Sequence, residues 1–318
     1  MTISTLFICS ALDNPEKRYK LYRKYFQGAY VIMTIDRFCE LCGFTAREKE
    51  LLASYLADEK LSATGKEVCR LCFEAAERPD PLPELAEGDE LAKVNLLSAF
   101  YGVEFAQKIH ERQGIPPFAL ENGMRDIALW ARRELRDKGV FGLKRGFHWT
   151  NVIYRGTAIR LGRLECNLNR GFRMDELRDE NGNVLITKGE PVIGMHIPAD
   201  GPLDIDDCID SMHQMAAYFD RYLPDFRYKG YVIDSWLLDP VFEEMLGADS
   251  NIVKFQKLGI HYHIQDVYDC TDWIWGARDP EKIAEPSTLQ KKALEFLKSG
   301  KQFKLHGMYI PKEWIVKE

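Results

Sequence analysis

The segment PVIGMHIPADGPLDIDDCIDSMHQMAAYFDRYLPDFRYKGYVIDSWLL, residues 191–238, decides the fold. It opens on a short apolar run, Pro191–Ile197, and closes on a second, Tyr231–Leu238, both suited to strands. Between them LDIDDCIDSMHQMAAYFDRYL is apolar at helical spacing. Its first turn holds Asp204, Asp206 and Asp207, where carboxylates suit the positive end of a helix dipole. Strand, long helix, strand predicts two adjacent parallel strands joined by a right-handed crossover. Ligands of such sheets bind outside the carboxyl ends of the strands, which is where His196 and Ser235 fall.

Downstream of this unit, PVFEEML reads as a short helix and SNIVKFQKLGIHYHI as one or two strands. Ser287–Ser299 reads as a capped helix, and Phe303–Tyr309 as a closing strand. Upstream, FHWTNVIYRGTAIRLGRLECNLNRGFRM alternates, with Arg155-Gly156 as a hairpin turn. Asn181-Gly182 and Lys188-Gly189 mark further turns.

Before about residue 146 the period is helical. DRFCELCGFTAREKELLASYLADEK and GKEVCRLCFEAAER are amphipathic, LAKVNLLSAFYGVEFAQKIHERQG stops at Gly114, and NGMRDIALWARRELRDKG carries the stripe Ile127, Trp130, Ala131 and Leu135. The chain therefore reads as a helical bundle over 1–145 and a mixed-sheet α/β domain with flanking helices over 146–318. Its 318 residues fit two domains.

The formal charge is −6, and residues 1–145 balance 22 basic against 22 acidic groups, so the whole deficit lies in 146–318. A nucleic-acid partner, which would call for a basic face, is not expected. No run of 18 apolar residues is present, so no membrane partner is expected either. The start, MTISTLFICSALDN, lacks an early basic residue and is a poor secretory signal. Eight cysteines without such a signal point to the cytoplasm and free thiols.

Several constellations have a chemical and a plain reading. Cys39-x-x-Cys42 and Cys69-x-x-Cys72 have the form of a four-thiolate zinc site, yet both pairs fall on helical patterns, where cysteine packs as a small hydrophobe. Packing is the expectation, and no metal is assigned. His261 and His263 share a face of a strand but lack a third ligand at sensible spacing. Neither G-x-G-x-x-G after a strand nor a P-loop occurs. Ser235 lies in DSWLL rather than in a G-x-S-x-G elbow.

RGTAIRLGRLE, HIPADGPL with its long helix, SWLLDP, DSNIVKFQ and PSTLQKKALEFL together resemble the C-terminal domain of bacterial GNAT-like acyltransferases. These are two-domain proteins whose helical first half is an N-acyltransferase N-terminal domain, and the junction RRELRDKGVFGL with Trp149 and Arg155-Gly156 fits them. The resemblance implies an acyl-CoA co-substrate, acetyl-CoA or another, and direct attack of an amine (or hydroxyl) on its thioester. Ordinary members of the wider superfamily grip the CoA pyrophosphate with [QR]-x-x-G-x-[GA]; here the matching place reads ADGPLD, acidic and without the second glycine.

On that reading His196 shuttles a proton near neutral pH, with Asp234 and Ser235 as polar residues inside an apolar run. The backbone at Met195 and Ile197, with Asn251, meets the acyl-CoA. Arg160, Glu165 and Trp236 line the acceptor side, and Arg163 sits beside them. The plain reading has Ser235 and Asp239 capping the next short helix, Asp234 paired with Arg160 or Arg163, and the arginines in a structural ion-pair network. Trp236 should point away from Ser235 unless the strand bulges. The expected function is acyl transfer to an amine of a small molecule, by a monomer or a homodimer. The alternatives are a non-catalytic GNAT-like ligand-binding or scaffold protein and, third, a serine hydrolase using Ser235 and His196.

Overall fold

The structure, a computed structural model, describes residues 33–74 and 79–315. The opening segment read above for a secretory signal lies outside the described residues. Packing divides the chain into two units, Met1–Ile159 and Arg160–Glu318.

The first unit is helical. It runs α1 (Ile35–Cys42), α2 (Ala46–Ala57), α3 (Glu59–Glu74), α4 (Gly88–Gln113), α5 (Pro117–Lys138) and α6 (Phe147–Tyr154). The ends follow local chemistry. Thr34 caps α1, Thr45 and Glu48 form a reciprocal capping box on α2, and Gly43, Gly114 and Gly139 terminate helices at positive φ. Cys39 and Cys42 on α1 and Cys69 and Cys72 on α3 are buried in one apolar core with Phe38, Leu97, Phe100 and Tyr154. Burial pushes the Cys39, Cys42 and Cys69 thiols up, away from the thiolate a metal would need. Among the described residues no group of three or more His, Cys, Asp or Glu is placed to hold a metal ion.

The alternation expected across FHWTNVIY gives way to helix α6. Its buried side chains Phe147, Thr150, Asn151 and Tyr154 recur at three- and four-residue spacing, and Phe147 and Tyr154 join the helical core. Arg155-Gly156 is accordingly a helix end rather than a hairpin turn: Gly156 N–H donates to the Ile153 carbonyl and Thr157 N–H to that of Val152.

The second unit is built on a six-stranded mixed sheet. Its strands are β1 (Ala158–Leu161), β2 (Leu164–Gly171), β5 (Pro191–His196), β6 (Gly230–Ser235), β7 (Ile260–Gln265) and β8 (Leu305–Pro311), in the order β1-β2-β5-β6-β8-β7. A separate hairpin, β3 (Glu176–Arg178) and β4 (Val184–Thr187), turns through Asn181-Gly182. The long helix α7 (Ile205–Tyr222) joins β5 to β6, and these two strands are adjacent and parallel as expected. The buried Tyr231 hydroxyl ties the sheet to α7 by donating to the Met212 carbonyl at 3.0 Å.

Two elements differ from the expectation. DSNIVKFQ is not a strand: Ser250 accepts from Val253 N–H and starts helix α9 (Asn251–Gln256), which follows α8 (Val241–Leu246). The strand expected over Tyr231–Leu238 stops at Ser235, and Trp236–Leu238 coil into a 3₁₀ turn. Beyond these, α10 (Thr271–Trp275), α11 (Thr288–Lys298) and α12 (Lys312–Ile315) complete the order. Among the described residues no helix is long and apolar enough to cross a membrane.

Candidate functional site

The pairing of β5 with β6 covers only Ile193 with Tyr231 and Gly194 with Val232. Beyond that point the strands stop pairing, and the sheet forks at its carboxyl end. Level neighbours in a sheet project to one face. Counting on by two from Gly194 and Val232 therefore sets His196 and Asp234 on the same face, the one where Val192, Val232, Phe172 and Tyr309 pack together. On the other side of β5, His196 stands directly across from Glu165 of β2. Glu165 is only 3 % exposed, so the face carries an imidazole facing a buried carboxylate.

Asp234 is held from the far side. Its Oδ1 accepts from the Tyr262 hydroxyl at 3.0 Å, and Arg173 Nη1 stands 3.8 Å from Oδ2. The expected pairing with Arg160 or Arg163 does not occur, because Arg160 in β1 and Arg163 in the β1–β2 turn serve the β5–α7 turn instead. Arg160 pairs with Asp200 at 2.6 Å, and Arg163 donates to the carbonyls of Pro202 at 2.7 Å and Gly201 at 2.8 Å. Together with Gly162, Asp207 and Asp210 they line a cleft of about 340 Å³. At the foot of α7, Asp204 accepts from Asp206 N–H and Asp207 N–H, so the helix caps itself. This turn is closed by an ion pair, two arginine–carbonyl bonds and a self-capped helix.

Ser235 leaves the group. By alternation it projects to the opposite face from Asp234, and its hydroxyl accepts from Leu237 N–H at 3.1 Å, capping the 3₁₀ turn. Asp239 acts likewise, accepting from Val241 N–H and from Lys304 N–H. Trp236 follows the end of the strand, so alternation no longer sets its direction. It packs edge-on against Phe242 at 5.6 Å and Phe303 at 6.2 Å as part of an apolar cluster. Met195 is buried within the fork, Ile197 is half-buried just past β5, and Asn251 is half-buried in the first turn of α9. His261 Nε2 donates to the Gln256 carbonyl at 2.7 Å, and His263 lies beside His306 with ring centroids 5.2 Å apart. Burial pushes the His306 imidazole down.

The residues missed from sequence are Tyr262 and Gly307. The signals were present: Tyr262 alternates away from His261 and His263, and a glycine inside the strand LHGMYIP marks a close approach.

Residues 33–156 match the family described as N-acyltransferase N-terminal domain, and residues 158–309 match the GNAT-like C-terminal domain. Similar solved structures are described as an acyltransferase in complex with decanoyl-CoA and teicoplanin and an acyltransferase in complex with CoA and 10C-teicoplanin. The first has a TM-score of 0.69 at 18 % identity, covering 98 % of this chain and 99 % of that one. The second has a TM-score of 0.68 at 18 % identity, covering 90 % of each chain. A third, an acyltransferase mutant with octanoyl-CoA, has a TM-score of 0.68 at 19 % identity over 87 % of each. No curated protein matches the sequence.

Proposed function

We propose that this chain, which belongs to the two-domain family joining an N-acyltransferase N-terminal domain to a GNAT-like C-terminal domain, transfers an acyl group from an acyl-CoA to an amine of a small molecule. The observation that carries the reading is the fork of β5 and β6 with His196 at its mouth and Glu165 opposite. His196 takes the proton from the attacking amine. The Glu165 carboxylate orients the ring and favours the imidazolium that forms. The backbone freed where β5 stops pairing supplies donors for the developing oxyanion. The tetrahedral centre then collapses, the C–S bond breaks, and the thiolate leaves with a proton from solvent or the imidazolium.

A second reading, a non-catalytic ligand-binding protein, draws on the β5–α7 turn, where Asp200 occupies Arg160 and Asp204 caps the helix. The two separate in one assay. Acetyl-, octanoyl- and decanoyl-CoA are each mixed with the protein, with and without a panel of amines, while thermal shift and thiol release are followed. Release that depends on the amine supports transfer. Binding with no release supports the second reading. Ester cleavage without any CoA would point to the hydrolase.

A further inference from the structure

We propose that the paired histidines His263 and His306 form an acid-sensitive latch on the edge strand β7, and that charging both rings releases the strand together with the Tyr262 support of Asp234. Ser235, His306 and His263 stand level across β6, β8 and β7, so their side chains share one face. One residue away, Asp234, Gly307 and Tyr262 stand level on the opposite face. There the Tyr262 ring lies over Gly307, and its hydroxyl donates to Asp234 at 3.0 Å. Strand β7 is the edge of the sheet and pairs with β8. That pairing is regular from Ile260 with Tyr309 to His263 with His306, and it shifts before Gln265. The two histidines are therefore the last regular pair of the ladder, next to the pair that carries Tyr262.

Their rings meet edge to face, with centroids 5.2 Å apart. As neutral imidazoles they pack; as two imidazolium ions at that distance they repel. A charged His263 has the Asp266 carboxylate 3.4 Å away, on an oxygen that Lys304 also approaches at 3.6 Å. His306 is less well placed. Its Nε2 is buried and makes no hydrogen bond to any described residue. Ser235, level with it on β6, uses its hydroxyl oxygen to accept from Leu237 N–H. Asp239 favours a charge on the ring, yet each oxygen of that carboxylate already accepts a backbone N–H, from Val241 at 3.0 Å and from Lys304 at 2.7 Å. Burial pushes the His306 imidazole down, Asp239 pulls it back up, and His263, His261 and Lys304 push it down again. The unfolded chain takes up this proton at about pH 6.5, the folded pair only below it. The β7–β8 pairing is thus at full strength above about pH 6.5 and weakens as pH falls below that value. Tyr262 lies between His261 and His263 in the same strand, so it leaves when β7 leaves, and Asp234 loses the hydroxyl that holds it.

Hydrogen exchange of the full chain at pH 7.5 and 5.5, corrected for the intrinsic pH dependence of amide exchange, reads the latch directly. The β7 and β8 amides should lose protection about tenfold at the lower pH while β2 and β5 keep theirs. His306→Phe keeps a ring against His263 and takes no proton, so its loss should stay below about threefold. With carbon-13 at the tyrosine ζ position, the Tyr262 resonance, assigned by its absence in Tyr262→Phe, should move between the two pH values in wild type and stay in His306→Phe. His263→Gln, on a side chain 47 % exposed, removes one of the two charges and should move the NMR titration of His306 to higher pH. This last variant is the deciding arm if His306→Phe does not fold. Equal loss of protection in wild type and His306→Phe overturns the proposal, as does a His306 titration that His263→Gln leaves in place. A Tyr262 resonance that stays fixed while β7 opens also overturns it, because the latch then does not reach Asp234.

Discussion

Gly307→Ala puts a methyl group where the Tyr262 ring now lies, 2.1 Å from two of its carbons. Carbon contacts need about 3.5–4.0 Å, so the ring must retreat by about 1.5 Å. Phe172 stands against its edge, so the retreat strains the packing, and it also breaks the bond from the hydroxyl to Asp234. Overpacking of this kind costs about 1–3 kcal/mol and a lost hydrogen bond to a charged group about 1.5–3 kcal/mol. Against this, alanine restricts the unfolded chain and recovers about 0.4–1 kcal/mol, since Gly307 is not held at positive φ. The net destabilisation of the sheet is then about 2–5 kcal/mol. Native-state hydrogen exchange at β6 and β8 amides reads the opening free energy of this region without assuming that the whole chain unfolds in one step. The decisive control is Gly307→Ala with Tyr262→Ala, which removes the ring the methyl would strike. The pair should cost less than the sum of the singles, by about 1–3 kcal/mol. A Gly307→Ala cost below about 0.5 kcal/mol, or strict additivity, would refute the account of the Tyr262 support.

His196→Ala should lower the rate of amine-dependent thiol release by about 10²–10⁴-fold while leaving acyl-CoA binding in place; a loss under threefold removes His196 from proton transfer. Arg163→Ala should speed hydrogen exchange across residues 200–204, because two carbonyls of that turn lose their donor, and unchanged protection there would show that the turn holds itself. His110 is buried on α4 with Nε2 at 2.9 Å from the Ile153 carbonyl, and burial pushes its pKa down. The unfolded chain therefore takes up the proton first, so the helical unit should lose stability as pH falls below about 6.5 and keep it above that value. Urea midpoints at pH 7.5 and 5.5 should differ less in His110→Gln than in wild type, and an equal difference would exclude His110 as the cause.

Much of the architecture is legible in one dimension because it depends on local period and turn chemistry. The stripe on NGMRDIALWARRELRDKG, the aspartates opening α7, the Ser287 cap and the Asn181-Gly182 turn each act within a few residues, and each element forms where its pattern predicts. The strand–helix–strand unit 191–238 also determined the parallel neighbours β5 and β6, since chain chirality allows one way to make that crossover. Short segments escaped: FHWTNVIY and SNIVKFQ are too brief for period to separate strand from helix, and packing and a serine cap decided them.

The site was decided by tertiary structure. His196 and Asp234 could be named from sequence as polar residues in apolar strands, but their partners depend on register across strands far apart in the chain. Glu165 faces His196 because β2 runs antiparallel to β5 in one alignment; a shift by one residue would turn every side chain of that strand to the other face. Arg160 and Arg163 serve the β5–α7 turn because β1 ends and β2 begins beside it. Tyr262 reaches Asp234 only because β8, the last strand of the chain, inserts between β6 and β7 and sets a glycine level with both. Strand order and register are set by long-range pairing, which no local pattern encodes, so a hydrogen bond between residues 234 and 262 exists only in the folded sheet.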